Sequence, residues 1–77
     1  MDRIDAGLLA GLRLKQLIKE NYSTQEDFAY EYGVDIRTVN RYVNKGINKI
    51  DTIQELAYFF DVEFTYFFTK TNNSEDI

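Results

Sequence analysis

The absence of both cysteine and histidine from a chain of only 77 residues leaves few ways to hold a fold together. A chain this short buries only ~60% of the surface that its unfolded form exposes, so its core has to be compact. Disulfide bonds are excluded, and a zinc site is not expected without these ligands. We therefore expect one small domain around an apolar core. Proline is also absent, which favours uninterrupted helices.

The same composition narrows the possible functions. Without histidine, the Ser–His form of nucleophile activation is impossible. The sequence has neither a glycine-rich phosphate loop nor an acid–base pair in a catalytic pattern, so we expect no enzyme activity. We also expect no metal, cofactor or small-molecule ligand. No segment resembles a signal peptide or a membrane span, which predicts a cytoplasmic protein with no membrane partner.

Apolar side chains at helical spacing predict a first helix over residues 5–21. Its inward positions are Leu14, Leu17 and Ile18. Gly7 and Gly11 are expected to weaken this helix by up to ~1 kcal/mol each. Three further leucines spread around more of the helix than one core requires: Leu8, Leu9 and Leu12. They fit either ordinary packing or a partner surface, and we favour packing.

Two shorter helices are predicted next. Ser23 or Thr24 is suited to cap a second helix that ends at Gly33, where a helix exit requires a positive φ. Asp35 is suited to cap a third helix that extends to about Asn44. The third helix is expected to turn Val39 and Tyr42 inward.

The last part of the chain predicts two more helices and a tail. A fourth helix is expected over residues 49–60, and residues 64–68 are read as a short closing helix. The inward stripe of the fourth helix is Ile50, Ile53, Leu56, Ala57 and Phe60. Residues 71–77 are polar and lack periodicity, which predicts a disordered tail after a single domain at residues 1–70.

Charge is distributed unevenly along the chain. The net charge of −4 argues against indiscriminate binding to nucleic acid. Residues 35–50 nevertheless contain four basic side chains against one acid, Asp35. The basic residues are Arg37, Arg41, Lys45 and Lys49. Arg37 and Arg41 are four residues apart and therefore share one helix face, from which they could donate to guanine bases.

Residues 25–44 have the spacing of a helix–turn–helix. With Gln25 as the first position, the fifth is the small Ala29 and the ninth is Gly33. The five expected inward positions are all apolar or aromatic: Phe28, Tyr32, Val34, Val39 and Tyr42. With segments 24–35, 38–46 and 53–62, this pattern resembles the Cro-type, lambda-repressor-like (XRE) family of DNA-binding regulators over residues 12–68.

The resemblance implies a compact, all-α, five-helix lambda-repressor-like domain whose third helix enters the major groove of double-stranded DNA. The positions that match base-contacting residues of the family are Ile36, Arg37, Thr38, Asn40 and Arg41. The positions that match phosphate-contacting residues are Gln25, Asn44, Lys45 and Lys49. The implied function is sequence-specific transcriptional regulation, as a repressor. Because a unit of this size contacts only ~4–6 base pairs well, we expect a homodimer on a two-fold site.

One departure from the family pattern affects the first and third helices. The family often pairs an arginine in the first helix with a glutamate near the end of the third. Apolar residues stand there in this chain, Leu17 or Ile18 and Val43, and losing both charges together can be neutral for stability. The acidic C-terminal third leaves open an alternative: a protein-interaction module of the same fold, such as an antitoxin-like or anti-repressor partner, that does not bind DNA.

Overall fold

The chain folds into four α-helices followed by one 3₁₀ helix in a computed structural model, which describes residues 6–69. The helices are α1 (Ala6–Asn21), α2 (Gln25–Tyr32), α3 (Ile36–Lys45), α4 (Ile50–Phe60) and the 3₁₀ helix (Phe64–Phe68). No strand occurs within residues 6–69, which confirms the all-α class. The short closing helix predicted for residues 64–68 is present as the 3₁₀ helix. The predicted tail at 71–77 and the predicted helix start at Asp5 lie outside the described residues.

The helix ends follow from local hydrogen bonding. At the start of α2, the Thr24 hydroxyl accepts a hydrogen bond from the Asp27 amide at 3.1 Å. The helix ends at Gly33, whose φ of 88° lies in the left-handed region that favours glycine. Asp35 Oδ1 accepts a hydrogen bond from the Arg37 amide at 2.8 Å and so caps α3. These three predicted helix ends are confirmed.

The core lies between the inward faces of all five helical elements. Its largest fully buried side chains are Phe28, Phe67, Leu14, Ile18, Ile53, Leu56 and Val39. The prediction for α3 was partly wrong, because the helix buries Val43 beside Val39 while Tyr42 is only half-buried. The prediction for Ile50 was also wrong, since this residue lies in the first turn of α4 and remains exposed. No helix within residues 6–69 is long and apolar enough to cross a membrane.

The α1 leucines do not all pack into the core. Leu8 is 45% exposed and Leu12 is 54% exposed, whereas Leu9 is half-buried. Packing was therefore the wrong expectation for two of the three. Positions 8 and 12 are one helical turn apart, and on the helix they lie well away from the buried positions 10, 14 and 17.

Two glycines let the backbone of α1 approach the end of α3 closely. A Cβ atom at Gly11 would collide with the Tyr42 carbonyl oxygen, and one at Gly46 would lie 2.8 Å from the Gly7 carbonyl carbon. The Ile47 amide also donates a hydrogen bond to the Gly7 carbonyl at 3.0 Å. The expectation that Gly11 only weakens α1 therefore missed its packing role, because the absence of a Cβ there lets the end of α3 lie against α1.

A buried cation joins α1 to the end of the described chain. Arg13 is only 6% exposed. Its Nε donates to the Thr69 carbonyl at 2.9 Å, and its Nη1 donates to Gln16 Oε1 at 2.7 Å. The guanidinium carbon also lies 5.2 Å from the centroid of the Tyr66 ring, within cation–π range. Arg13 thus holds the 3₁₀ helix against α1.

Candidate nucleic-acid interface

Helix α3 presents a row of basic side chains on the side opposite its buried valines. Arg37, Arg41 and Lys45 follow at four-residue intervals and are all exposed. At 1.5 Å per residue, the row is about 12 Å long. Val39 and Val43 fix the opposite side of the helix in the core. The rotation of α3 about its axis is therefore set by packing, and this rotation places the basic row in solvent.

The first member of the row, Arg37, is held by the residue that caps its own helix. Arg37 Nε lies 3.3 Å from Asp35 Oδ1, and Nη2 lies 3.4 Å from Asp35 Oδ2. The two side chains remain 88% and 53% exposed. Hydrogen bonds from the Arg37 side chain, and to a lesser extent from the Arg37 amide, lower the pKa of Asp35. The hydrogen bond to the Asp35 carboxylate in turn raises the pKa of Arg37.

Arg41 differs from Arg37 because it has no carboxylate partner within residues 6–69. Its guanidinium carbon lies 5.7 Å from the centroid of the Tyr42 ring, a cation–π distance. It also borders a pocket of about 370 Å³ between the end of α3 and the start of α4. Lys45 and Lys49 line the same pocket. Three cations that have no carboxylate partner among the described residues therefore surround one concave surface.

The start of α4 adds hydrogen-bond donors near this pocket. Lys49 occupies the N-cap position of α4 but makes no side-chain capping hydrogen bond. Within residues 6–69, the first amide groups of α4 have no side-chain acceptor from the N-cap residue. Thr52, in the first turn of α4, lines the pocket together with Lys49. Amide donors at a helix start combined with nearby cations suit a phosphate group.

The remaining predicted site residues differ in exposure. Asn40 and Asn44 are exposed on α3, and Thr38 is half-buried. Ile36 is half-buried and packs against the core, so only part of its side chain is open to a thymine methyl group. Gln25 is half-buried in the first turn of α2, and its amide makes no hydrogen bond to any described residue.

Sequence reasoning missed one participant in this site. Asp35 was assigned only as a helix cap, and the structure places its carboxylate on the guanidinium of Arg37 as well. The signal was present in the sequence, because a capping Asp two residues before an Arg can accept from both its backbone and its side chain. The pocket that gathers Arg41, Lys45 and Lys49 was not predicted as a unit, since the loop path between α3 and α4 sets it.

No protein-family model, curated protein or solved structure matches the chain. The case for a function therefore depends on the geometry of α3 and of the residues around it.

Proposed function

We propose that this chain is a sequence-specific DNA-binding protein that inserts α3 into the major groove of double-stranded DNA. In this proposal α2 and α3 form the helix–turn–helix of a lambda-repressor-like domain, with the 3₁₀ helix as its fifth helix. The observation that carries the proposal is the exposed basic side of α3, which continues into the cationic pocket. This concentration of positive charge stands out in a chain whose net charge is −4.

The side chains on α3 suit the edges of base pairs. The guanidinium groups of Arg37 and Arg41 can donate to O6 and N7 of guanine, and the Asn40 amide suits adenine. Thr38 and the exposed part of Ile36 can contact a thymine methyl group. Each good bidentate contact contributes about 1–3 kcal/mol of discrimination against the wrong base.

A second set of residues suits the sugar–phosphate backbone. Lys45 and Lys49 lie at the pocket after α3 with no ion-pair partner in the described part of the chain, and Asn44 is exposed beside them. The side-chain amide of Gln25, which has no hydrogen-bond partner within residues 6–69, provides a donor at the start of α2. Contacts of this kind fix the position of a helix on DNA but carry no sequence information directly.

The size of α3 favours action as a homodimer. Its ten residues span about 15 Å, less than half of the ~34 Å helical turn of DNA. Two copies on a two-fold site, with half-sites one turn apart, would double the contacts. We further propose that the dimer acts in the cytoplasm as a repressor by occupying its operator.

The test is selection of binding sites from random duplex DNA, followed by titrations over a salt series. We expect a recovered motif with two-fold symmetry and an affinity that falls as salt rises. Lys45→Ala should reduce the salt dependence by about one phosphate contact and weaken all sequences alike. Lys19→Ala, at an exposed lysine of α1, is the matched control and should change neither quantity. Failure to recover any motif at low salt would refute the proposal.

A second candidate function is the protein-interaction module. The exposed Leu8 and Leu12 on α1 favour it, because adjacent exposed leucines are typical of a contact surface. This candidate expects a stable complex that forms equally well with Arg37→Ala and Arg41→Ala. Light scattering with and without duplex DNA separates the two candidates. A DNA complex that is weakened in Arg41→Ala supports the first, whereas a protein complex that is lost in Leu12→Glu, with no binding to DNA, supports the second.

A further inference from the structure

The contact between Asp35 and Arg37 uses one particular edge of the guanidinium group. Nε and Nη2 both point at the carboxylate, at 3.3 Å and 3.4 Å. A guanidinium has five N–H donors in a fixed plane. The contact with Asp35 uses two of them, one on Nε and one on Nη2. The other Nη2 hydrogen and both Nη1 hydrogens remain, and they include the parallel pair of donors at the end of the side chain.

We propose that Asp35 is a positioning residue that determines base preference by orienting Arg37 so that the Nη1–Nη2 edge meets a guanine. This inference rests on the proposed function, because it specifies how one residue of that site selects a base. A carboxylate on the Nε–Nη2 edge fixes the plane of the guanidinium and occupies the competing donor pair. The edge that stays free matches the two acceptors, O6 and N7, that guanine presents in the major groove.

The proposed role follows from where Asp35 lies. As the N-cap residue it is fixed by the Arg37 amide at 2.8 Å, so the carboxylate itself is held before it contacts the guanidinium. The long Arg37 side chain is 88% exposed and would otherwise sample many rotamers. Anchoring it in advance reduces the entropy lost on binding and favours one geometry over contacts to neighbouring phosphates.

Stabilisation of the fold is a weaker explanation for the same contact. Ion pairs between exposed side chains contribute little to folding stability. The capping function requires only a side-chain oxygen, which asparagine provides as well as aspartate does. The charge of Asp35 also disfavours binding, since it repels DNA phosphates. The dipole of α3 modestly favours a negative charge at its N-cap, and the contact with Arg37 gives the carboxylate a second role.

Arg41 provides a contrast on the same helix. It has no carboxylate partner within the described residues, and its neighbour is the Tyr42 ring. An unanchored guanidinium can contact either a base or a phosphate. We therefore expect base preference at the position read by Arg37 to depend on Asp35, and preference at the position read by Arg41 to be independent of it.

The experiment compares the wild type with Asp35→Asn, which keeps the capping oxygen and removes the charge. Affinity is measured for the selected site and for all single-base variants of it, in the wild type, Asp35→Asn, Arg37→Ala and the double variant. Thermal melts check that the fold is retained. We expect the wild type to prefer guanine at one position by about 5- to 150-fold. Asp35→Asn should reduce this ratio several-fold at that position only, while binding to unrelated duplex is unchanged or tighter.

The double variant and the remaining outcomes separate the possible failures. In the Arg37→Ala background, Asp35→Asn should not change the ratio further, because Asp35 acts through Arg37. A further change in that background would mean that Asp35 contacts a base directly, which overturns the inference. An unchanged ratio in Asp35→Asn, or a sharper one, would show that the ion pair only sequesters Arg37 and would also overturn it while the proposed function stands. A wild type without any preferred site would overturn both.

Discussion

Replacing Gly11 by alanine sets two known effects against each other, and the structure determines which should win. Alanine in the middle of a helix is favoured over glycine by up to ~1 kcal/mol, so α1 considered alone would gain stability. A Cβ at this position, however, would collide with the Tyr42 carbonyl oxygen and lie 3.3 Å from the Gly46 Cα atom. Both obstacles are backbone atoms, which cannot rotate away as a flexible side chain would.

The collision requires α1 and α3 to separate where they pack most closely. Overpacking of a tight core contact costs about 1–3 kcal/mol, and a rigid backbone obstacle places this case at the upper end. When the gain in helix propensity is subtracted from this cost, we expect the free energy of unfolding to fall by about 2 kcal/mol. For a domain of this size, that corresponds to a decrease in Tm of about 8–16 °C. Because α3 carries the candidate interface, DNA affinity should fall as well.

Urea and thermal denaturation followed by circular dichroism measure the effect. Lys15→Gly and Lys15→Ala provide a matched control at an exposed position on α1, where the difference between the two variants reports helix propensity without a collision. If Gly11→Ala is as stable as the wild type or more stable, the close approach of α1 to α3 is not a constraint on the fold, and the packing argument is wrong.

Three further outcomes follow from individual side chains. Arg41→Ala should cost about 1–3 kcal/mol in binding to the selected site at an unchanged Tm, as measured by titration and thermal melts. Arg13→Met, which loses two hydrogen bonds made by a buried charge, should lower the free energy of unfolding by about 1.5–3 kcal/mol in urea titrations, and Arg13→Lys should recover part of it. The pKa of Asp35 is lowered, chiefly by the Arg37 side chain, so its contribution to stability is present above about pH 4 and is lost as the pH falls through the folded-state pKa. In a pH series of thermal melts, the Tm of Asp35→Asn should fall less steeply towards low pH than the Tm of the wild type. Equal slopes in the two proteins would argue against this contribution.

Local signals made most of the helix ends predictable. Thr24, Gly33 and Asp35 each act through hydrogen bonds or backbone angles within a few residues, and such effects can be read from sequence. Which residues would be buried was less certain, because burial depends on neighbouring helices. Ile50 fits the apolar stripe of α4 by spacing, yet it lies at the start of the helix and remains exposed.

Contacts between distant segments were beyond sequence reasoning. The sequence predicts Gly11 only as a poor helix former, and its packing role becomes visible only when the Tyr42 carbonyl is known to lie against it. Arg13 lies 56 residues from the Thr69 carbonyl that it binds, and no pattern in the sequence connects the two. The shared exposed face of Arg37 and Arg41 was easier to predict, since both lie on one short helix and a four-residue spacing is enough to place them on one face.

Under the proposed function, the acidity of the whole chain and the basic row on α3 are compatible. Nonspecific affinity for DNA grows with the number of phosphates that a protein neutralises. Because the net charge of the chain is −4, the proposed attraction to a duplex is concentrated on the side that carries α3. With few cations, affinity has to come from well-oriented base contacts. This is why an anchored arginine such as Arg37 would matter more here than in a strongly basic protein, where backbone contacts supply most of the binding free energy.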